Sequence, residues 1–303
     1  MRLIVFVLVT LISLAIMPNI SISQNVSVSG ALVGNGSYAT LSAACSAINV
    51  GVQTSANISI VITGNTTEPS TGADLNNGAW TSIMIQPDGA SRVISGAISA
   101  GNPLIDFNGA DNVTIDGLFT GEYALTFVNT TVSSNTNTST IRFQNDAVNN
   151  HITRCIIQGS STTGLGTNGG NIIFGTGTTT GNDNNTISYC DIGPSGANLP
   201  TKCIFFTGTT TTETRNNSGD TIRNCNIYDY FSGTTSHSGI YIEAGTTNTI
   251  IKDNKFFQTT AKVLTTNSLH AAINIDNTKG NSFQLIGNRI GCSSSSGTGI
   301  YTI

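Results

Sequence analysis

Apolar residues along this chain come in short bursts, two positions apart, that recur at nearly constant spacing. One burst reads aliphatic, two variable positions, Cys or Asn, one variable position, then Ile or Phe. It occurs five times: Ile152 to Ile157, Ile187 to Ile192, Ile222 to Ile227, Ile251 to Phe256 and Leu285 to Ile290. Successive starts lie 35, 35, 29 and 34 residues apart, and a looser copy at Ile115 to Leu118 precedes the first by 37. Between these copies lies a second pair, two residues apart: Ile141 and Phe143, Ile172 and Phe174, Ile204 and Phe206, Ile240 and Ile242, Ile273 and Ile275, with a last start at Ile300. Alternation at period two turns one face of a short strand inward. Two short strands alone have no layer to pack on. Stacking equivalent strands of successive repeats in parallel pairs their backbone groups and lines a tube with Ile and Phe. The pattern therefore predicts an all-β fold, a right-handed single-stranded parallel β-helix (solenoid) with coils about 4.8 Å apart. Each coil contributes at least two strands, with room for a third in the longer connection. A β-sandwich would instead show hairpin turns about every 8–12 residues and no in-register repeat.

Within the first motif the parity breaks, because the first Ile and the Cys are three apart while the Cys and the next Ile are two apart. A corner must lie between them. An inward Asn at such a corner hydrogen-bonds the backbone of its own and the adjacent coil, and Cys replaces it as a small buried residue. Cys155, Cys190, Cys225, Asn254 and Asn288 are thus expected to form one structural ladder. Upstream, Gly36 to Gly51 predicts a short helix capped by Ser37 or Thr40, with apolar residues that plug the open end of the tube. This divides the chain into an N-terminal cap at 25–60 and a β-helix at 61–303. The last residues, Tyr301-Thr302-Ile303, carry no comparable plug. Since native solenoids cover their open ends, the expectation is a β-helix truncated at its C-terminal end.

The first residues change the setting. Arg2 is followed by an apolar run from Leu3 that continues through Ile16, then Pro18 and a polar stretch to Gln24. This predicts a secretory signal peptide at 1–24, with an apolar core short of the roughly 20 residues a spanning helix needs. Losing Arg2 from the 12 Lys and Arg leaves 11 against 16 Asp and Glu, a net charge of −5 that argues against nucleic acid as partner. Only 9% of residues are charged. With so much Gly, Ser, Thr and Asn this composition suggests disorder, and the regular Ile and Phe positions decide for order.

Chemistry is sparse. All six cysteines lie in a chain expected to be exported, where disulfides form. The spacing of Cys155, Cys190 and Cys225 nevertheless predicts parallel side-chain vectors, a poor geometry for bridging, so buried free thiols are expected. His151, His237 and His270 show no metal-ligand spacing and read as solvated loop residues. No nucleophile elbow or phosphate loop is present. Thr-rich corners follow the second strand at Thr176 to Gly181, Thr207 to Thr212 and Gly245 to Asn248. With Tyr189, Tyr228, Tyr230 and Tyr241 they suggest a polar ledge suited to extended contact with an extracellular polysaccharide or cell-surface glycan. Ice binding needs flat, regular Thr-x-Thr rows, and these runs vary in length.

The repeat resembles those of the pectin-lyase-like superfamily, which includes polysaccharide lyases and hydrolases, surface adhesins and binding proteins. A closer resemblance, to large exported β-helix proteins of Bacteroidetes-type bacteria, rests on Gly36 to Ala44, Pro103 to Gly117 and Thr180 to Ile187. It implies a secreted or cell-surface location. Were the chain a pectate-type lyase, the resemblance would imply calcium held by clustered acids, with Arg or Lys as base. The densest acids are Asp106, Asp111 and Asp116, which also have ordinary readings as turn-forming Asp. A hydrolase needs paired carboxylates on adjacent coils. The outward residues after the Cys/Asn position are instead Ile156, Asp191, Asn226, Lys255 and Arg289. The expectation is a noncatalytic surface module, adhesin-like or carbohydrate-binding, without a cofactor; the alternative is a polysaccharide lyase or glycoside hydrolase.

Overall fold

In the computed structural model, residues 23–119 and 121–303 are described. The signal peptide read at 1–24 lies almost wholly outside them, since residues 1–22 are not described. The chain winds as an all-β solenoid of about 7 turns, with one short helix near its N-terminus. Three sheets run along it. Sheet I has ten strands, from Gly36–Tyr38 and Val26–Ser29 through Asn57–Ile62 to Gln284–Ile286. Sheet II has eight, from Thr66–Thr67 to Arg289–Cys292, and sheet III has seven, from Ala73–Asn76 to His270–Asp276. Pairing between successive coils in the three sheets is parallel, except where Val26–Ser29 joins Gly36–Tyr38 and Asn57–Ile62 antiparallel; Leu118–Phe119 and Glu122–Tyr123 form a small antiparallel pair of their own.

The third strand of each coil does not hide in the long connection. It comes from the first motif itself, which splits at the corner: His151–Thr153 belongs to sheet I and Cys155–Ser161 to sheet II. The residue at the split takes a left-handed backbone, at Arg154 (φ 56°), Tyr189 (53°), Asn224 (55°), Asp253 (55°) and Gly287 (64°). That conformation is costly for most L-residues and tolerated by Gly, Asn and Asp. One such residue turns the strand sharply and causes the parity break.

Register then builds the core. Ile115, Ile152, Ile187, Ile222, Ile251 and Leu285 succeed one another on sheet I. On sheet III, Phe107, Phe143, Phe174 and Phe206 stack with centroids 4.8, 4.9 and 4.1 Å apart. Each such aromatic pair contributes about 0.5–1.5 kcal/mol beyond area burial. The helix α1, Leu41–Asn49, closes the first coil: Thr40 caps it by accepting from the Ala43 N–H, and Leu41, Ala44, Cys45 and Ile48 are buried. The Glu68 carboxylate accepts from the Leu41 and Ser42 amides at 3.0 and 2.7 Å, fixing the helix to the sheet below.

Candidate functional site

The outward face of sheet II carries a groove of about 340 Å³ lined by Asp191, Asn226, Tyr228, Phe257, Thr259 and Ser293 to Ser295. Its floor follows from register. Ile156, Asp191, Asn226, Lys255 and Arg289 occupy one outward column on successive coils. Beside it, Tyr228 and Phe257 pair across strands and stack at 5.2 Å with their planes 9° apart. Gly193 makes room for this, because a Cβ there would sit 2.4 Å from Tyr228 Cζ. The tyrosine ring therefore lies across the glycine instead of standing off the sheet. Ser293 to Ser295 form the far wall, anchored where Lys255 Nζ donates to the Ser295 carbonyl at 2.6 Å. Thr259 is held by Asp229, which accepts from its amide at 2.9 Å and from its hydroxyl at 2.5 Å.

Asn226 donates to Asp191 Oδ1 at 2.6 Å. Burial pushes the Asp191 carboxyl up, and the Asn226 hydrogen bond and Lys255 charge pull it back. Burial likewise raises the Tyr228 phenol, against a hydrogen bond with Gln158. The groove thus sets two aromatic rings beside a carboxylate, an amide and hydroxyls.

The acids singled out in the sequence do not converge. Asp106, on sheet III, is 4% exposed and accepts from Arg142 Nη2 at 2.6 Å and Gln144 Nε2 at 2.7 Å. Asp111, at a corner, accepts from the Val148 amide at 2.8 Å, and burial raises its carboxyl. Asp116, on sheet I, forms an ion pair with Arg154. Each is joined to the next coil. Among the described residues no group of three or more His, Cys, Asp and Glu is placed to hold a metal ion.

Of the four tyrosines only Tyr228 lines the groove. Tyr189 stands at a corner, 42% exposed, with the Arg223 guanidinium 5.5 Å from its ring centroid. Tyr230 lies inside the tube, fully buried and stacked on His270 at 5.4 Å. Tyr241 faces outward from sheet III but is covered, and its hydroxyl donates to Asp276 at 3.0 Å. The four thus do not make one ledge. The Thr176 to Gly181 corner leaves Thr176 and Thr178 to Thr180 exposed and wraps the Asp146 carboxylate, which accepts from the amides of Thr178, Thr179, Thr180 and Gly181. These bonds hold Asp146 far below the usual carboxylate range despite its partial burial.

The histidines also differ from the expectation of solvated loop residues. All three begin strands, and His237 and His270 are register partners, joined Nε2 to Nδ1 at 2.7 Å. His270 Nε2 in turn meets the Tyr301 hydroxyl at 2.8 Å. Their spacing of 33 residues, one repeat, was the available signal. The six cysteines are free and buried. Cys190 and Cys225 hand on to Asn254, whose Oδ1 accepts from the Cys225 amide at 2.9 Å and whose Nδ2 donates to Ile222 O at 2.9 Å and Asn288 Oδ1 at 3.0 Å.

Fold and groove together define a class, a parallel β-solenoid with an aromatic-floored cleft on one outer face. No family model matches the chain, and no curated protein matches it. A solved structure, ORF18 of Geobacillus virus E2, is similar at 15% identity and a TM-score of 0.34, over 83% of this chain and 57% of that one. The chain thus spans a little over half the length of that protein, and a likeness at this level carries no assignment to the groove.

Proposed function

We propose that this chain is an exported, noncatalytic β-solenoid that binds an extracellular polysaccharide or cell-surface glycan in the groove on sheet II. The supporting observation is the Tyr228–Phe257 stack laid over Gly193 beside the bonded pair Asp191 and Asn226. Such a floor offers a sugar both a stacking face and hydrogen-bond partners, whereas hydrolysis on this plan would use two carboxylates, and Asp191 is the one carboxylate lining the groove. Export rests on the N-terminal apolar segment. A surface location and a kinship with pectin-lyase-like β-helices of Bacteroidetes-type bacteria belong to the same proposal, on the motifs quoted above. Calcium has no role in this reading.

The competing reading is a polysaccharide lyase or glycoside hydrolase of the same fold. It draws on Asp191, whose burial raises its carboxyl towards the range of an acid catalyst, with Lys255 close enough to act on it electrostatically. A polysaccharide array separates the two readings. The purified chain is scored for retention and for release of reducing or unsaturated sugars, with and without calcium. Retention without product is expected, weakened at least tenfold by Tyr228→Ala. Product formation abolished by Asp191→Asn would replace the binding reading with the enzymatic one, and equal retention by Tyr228→Ala would move the site elsewhere.

A further inference from the structure

Asparagine is followed by glycine four times, at Asn35, Asn77, Asn108 and Asn168. Such a pair has a chemistry of its own. Glycine has no Cβ to block approach, so its backbone nitrogen can reach the carboxamide carbon of the preceding asparagine and close a succinimide ring. Ring closure needs a carboxamide free to turn and an attacking nitrogen free of a hydrogen bond and open to solvent base. The fold treats the four pairs differently on these counts.

Three are held. The Asn35 carboxamide makes both its bonds to Ala31, accepting from the amide at 2.9 Å and donating to the carbonyl at 2.6 Å. Asn108 donates Nδ2 to Asn76 Oδ1 at 2.8 Å and accepts from Asn145 Nδ2 at 2.5 Å, while the Gly109 N–H donates to the Gln144 carbonyl at 2.9 Å. Asn168 is half-buried and Gly169 is buried against Thr163, to which a Cβ at 169 would come within 2.4 Å.

Asn77 stands apart from these. It follows strand Ala73–Asn76 at the corner leaving sheet III, and it is exposed. Its own N–H donates to the Asn108 carbonyl at 3.1 Å, which ties the backbone there to the next coil. Its carboxamide has no hydrogen-bond partner among the described residues, and neither has the Gly78 N–H. The glycine is demanded by packing: a Cβ at 78 would lie 2.1 Å from Trp80 Cζ3, and the indole is itself fixed by Nε1 donating to the Asp111 carbonyl at 2.6 Å. Trp80 thus imposes the reactive neighbour, and the corner leaves the carboxamide free to meet it.

We propose that Asn77 is a site of spontaneous deamidation. The Gly78 nitrogen attacks Asn77 Cγ, the Cγ–Nδ2 bond breaks, and the proton lost from Gly78 leaves with Nδ2 as ammonia. Water then opens the succinimide at either carbonyl, giving aspartate or isoaspartate. Both products add a carboxylate to the first coil, and isoaspartate also lengthens the main chain by one carbon beside the Trp80 ring. The site lies away from sheet II, so it is independent of glycan binding in the groove.

Mass spectrometry of peptides from the purified chain, aged in the folded state at pH 8.5, tests this. Residue 77 should gain about one dalton at least about tenfold faster than residues 35, 108 and 168. In a urea-unfolded sample, where only the Asn–Gly sequence acts, the four should react at comparable rates. The rate at residue 77 should be lower at pH 6, because the attacking nitrogen must lose its proton. Asn77→Gln, whose longer side chain closes a ring far more slowly, should show no gain at that position. An unchanged Asn77 in the folded chain, or loss at Asn35 or Asn108 as fast as at Asn77, overturns the proposal.

Discussion

At the scale of single residues, the corners show how one atom changes the balance. Asn150, Asn185 and Asp220 stand 35 residues apart at a buried corner and bond in series. Asn150 accepts Val113 N, Asn185 accepts Asn150 N, and Asp220 accepts Asn185 N, at 2.9, 3.1 and 2.9 Å. Each Asn also donates Nδ2 to a carbonyl of the previous coil, Ala110 O or Ala147 O. Asp220 has no amide to donate, and its Oδ2 is buried without a partner. Burial pushes its carboxyl well above the ordinary value of 3.8 and so favours the neutral form in the fold, in which a protonated Oδ2 restores a donor. The sign of the pH dependence follows. Below about pH 4 both folded and unfolded chains hold the proton, and nothing is lost. As pH rises past the unfolded value only the unfolded chain releases it, so stability falls until the folded pKa is reached. Asp220→Asn should therefore raise the melting temperature at pH 7, by a stability gain of about 1–3 kcal/mol. The gain should shrink on acidification towards pH 4. Thermal melts of both chains from pH 4 to 8 check this, and a difference that does not vary with pH would show Asp220 to be ionised in the fold.

At the scale of elements, the ladder that begins with cysteines and ends with asparagines carries a comparable test. Asn254 serves the Cys225 amide, the Ile222 carbonyl and Asn288 at once. Asn254→Ala leaves those buried groups unpaired and should cost roughly 1–3 kcal/mol. Asn254→Cys should cost less, since Cys225 already places its thiol near the matching carbonyl of Ile187, at 3.7 Å. Urea denaturation of the two variants gives the order, and equal losses would mean that the amide contributes only volume. This ladder was legible in the sequence because its members share a motif. So were the strand positions on either side, since period-two alternation persists within each strand. Alternation does not survive a left-handed corner, however, and Tyr230 consequently looked like a surface residue although it lies in the tube. The Asn150, Asn185 and Asp220 series stands two residues before Ile152, Ile187 and Ile222, and His237 and His270 stand three before Ile240 and Ile273, so both repeat at coil spacing, but as polar residues they fall outside the apolar pattern that marks the strands. The groove was hidden for a different reason. It needs Tyr228 laid over Gly193 and a wall of serines from a later coil, and neither contact leaves a periodic trace.

At the scale of the whole molecule, a solenoid has no single centre: each coil is stabilised mainly by its neighbours, so stability varies along the axis. The two ends of the described chain differ. The first coil is covered by α1, whereas in the last coil the inward positions Leu285 and Ile290 are 52% and 58% exposed. With those inward positions exposed, the last described coil is the least buried and should open first. The six free thiols report on this at six positions, from Cys45 on the buried face of α1 to Cys292 in strand Arg289–Cys292, which is 6% exposed where Cys155, Cys190 and Cys203 are fully buried. In native buffer none should react readily with a thiol reagent, because burial removes access and also pushes the Cys45, Cys190, Cys203 and Cys225 thiols up, suppressing the thiolate. Under mildly denaturing urea the order of labelling, read by mass spectrometry, should be Cys292 first, then Cys225 and Cys203, with Cys190, Cys155 and Cys45 last. Stepwise labelling from that end would mean that the coils open one after another. Simultaneous labelling of all six would mean instead that the stacked Phe107 to Phe206 column couples the coils strongly enough to unfold as one unit.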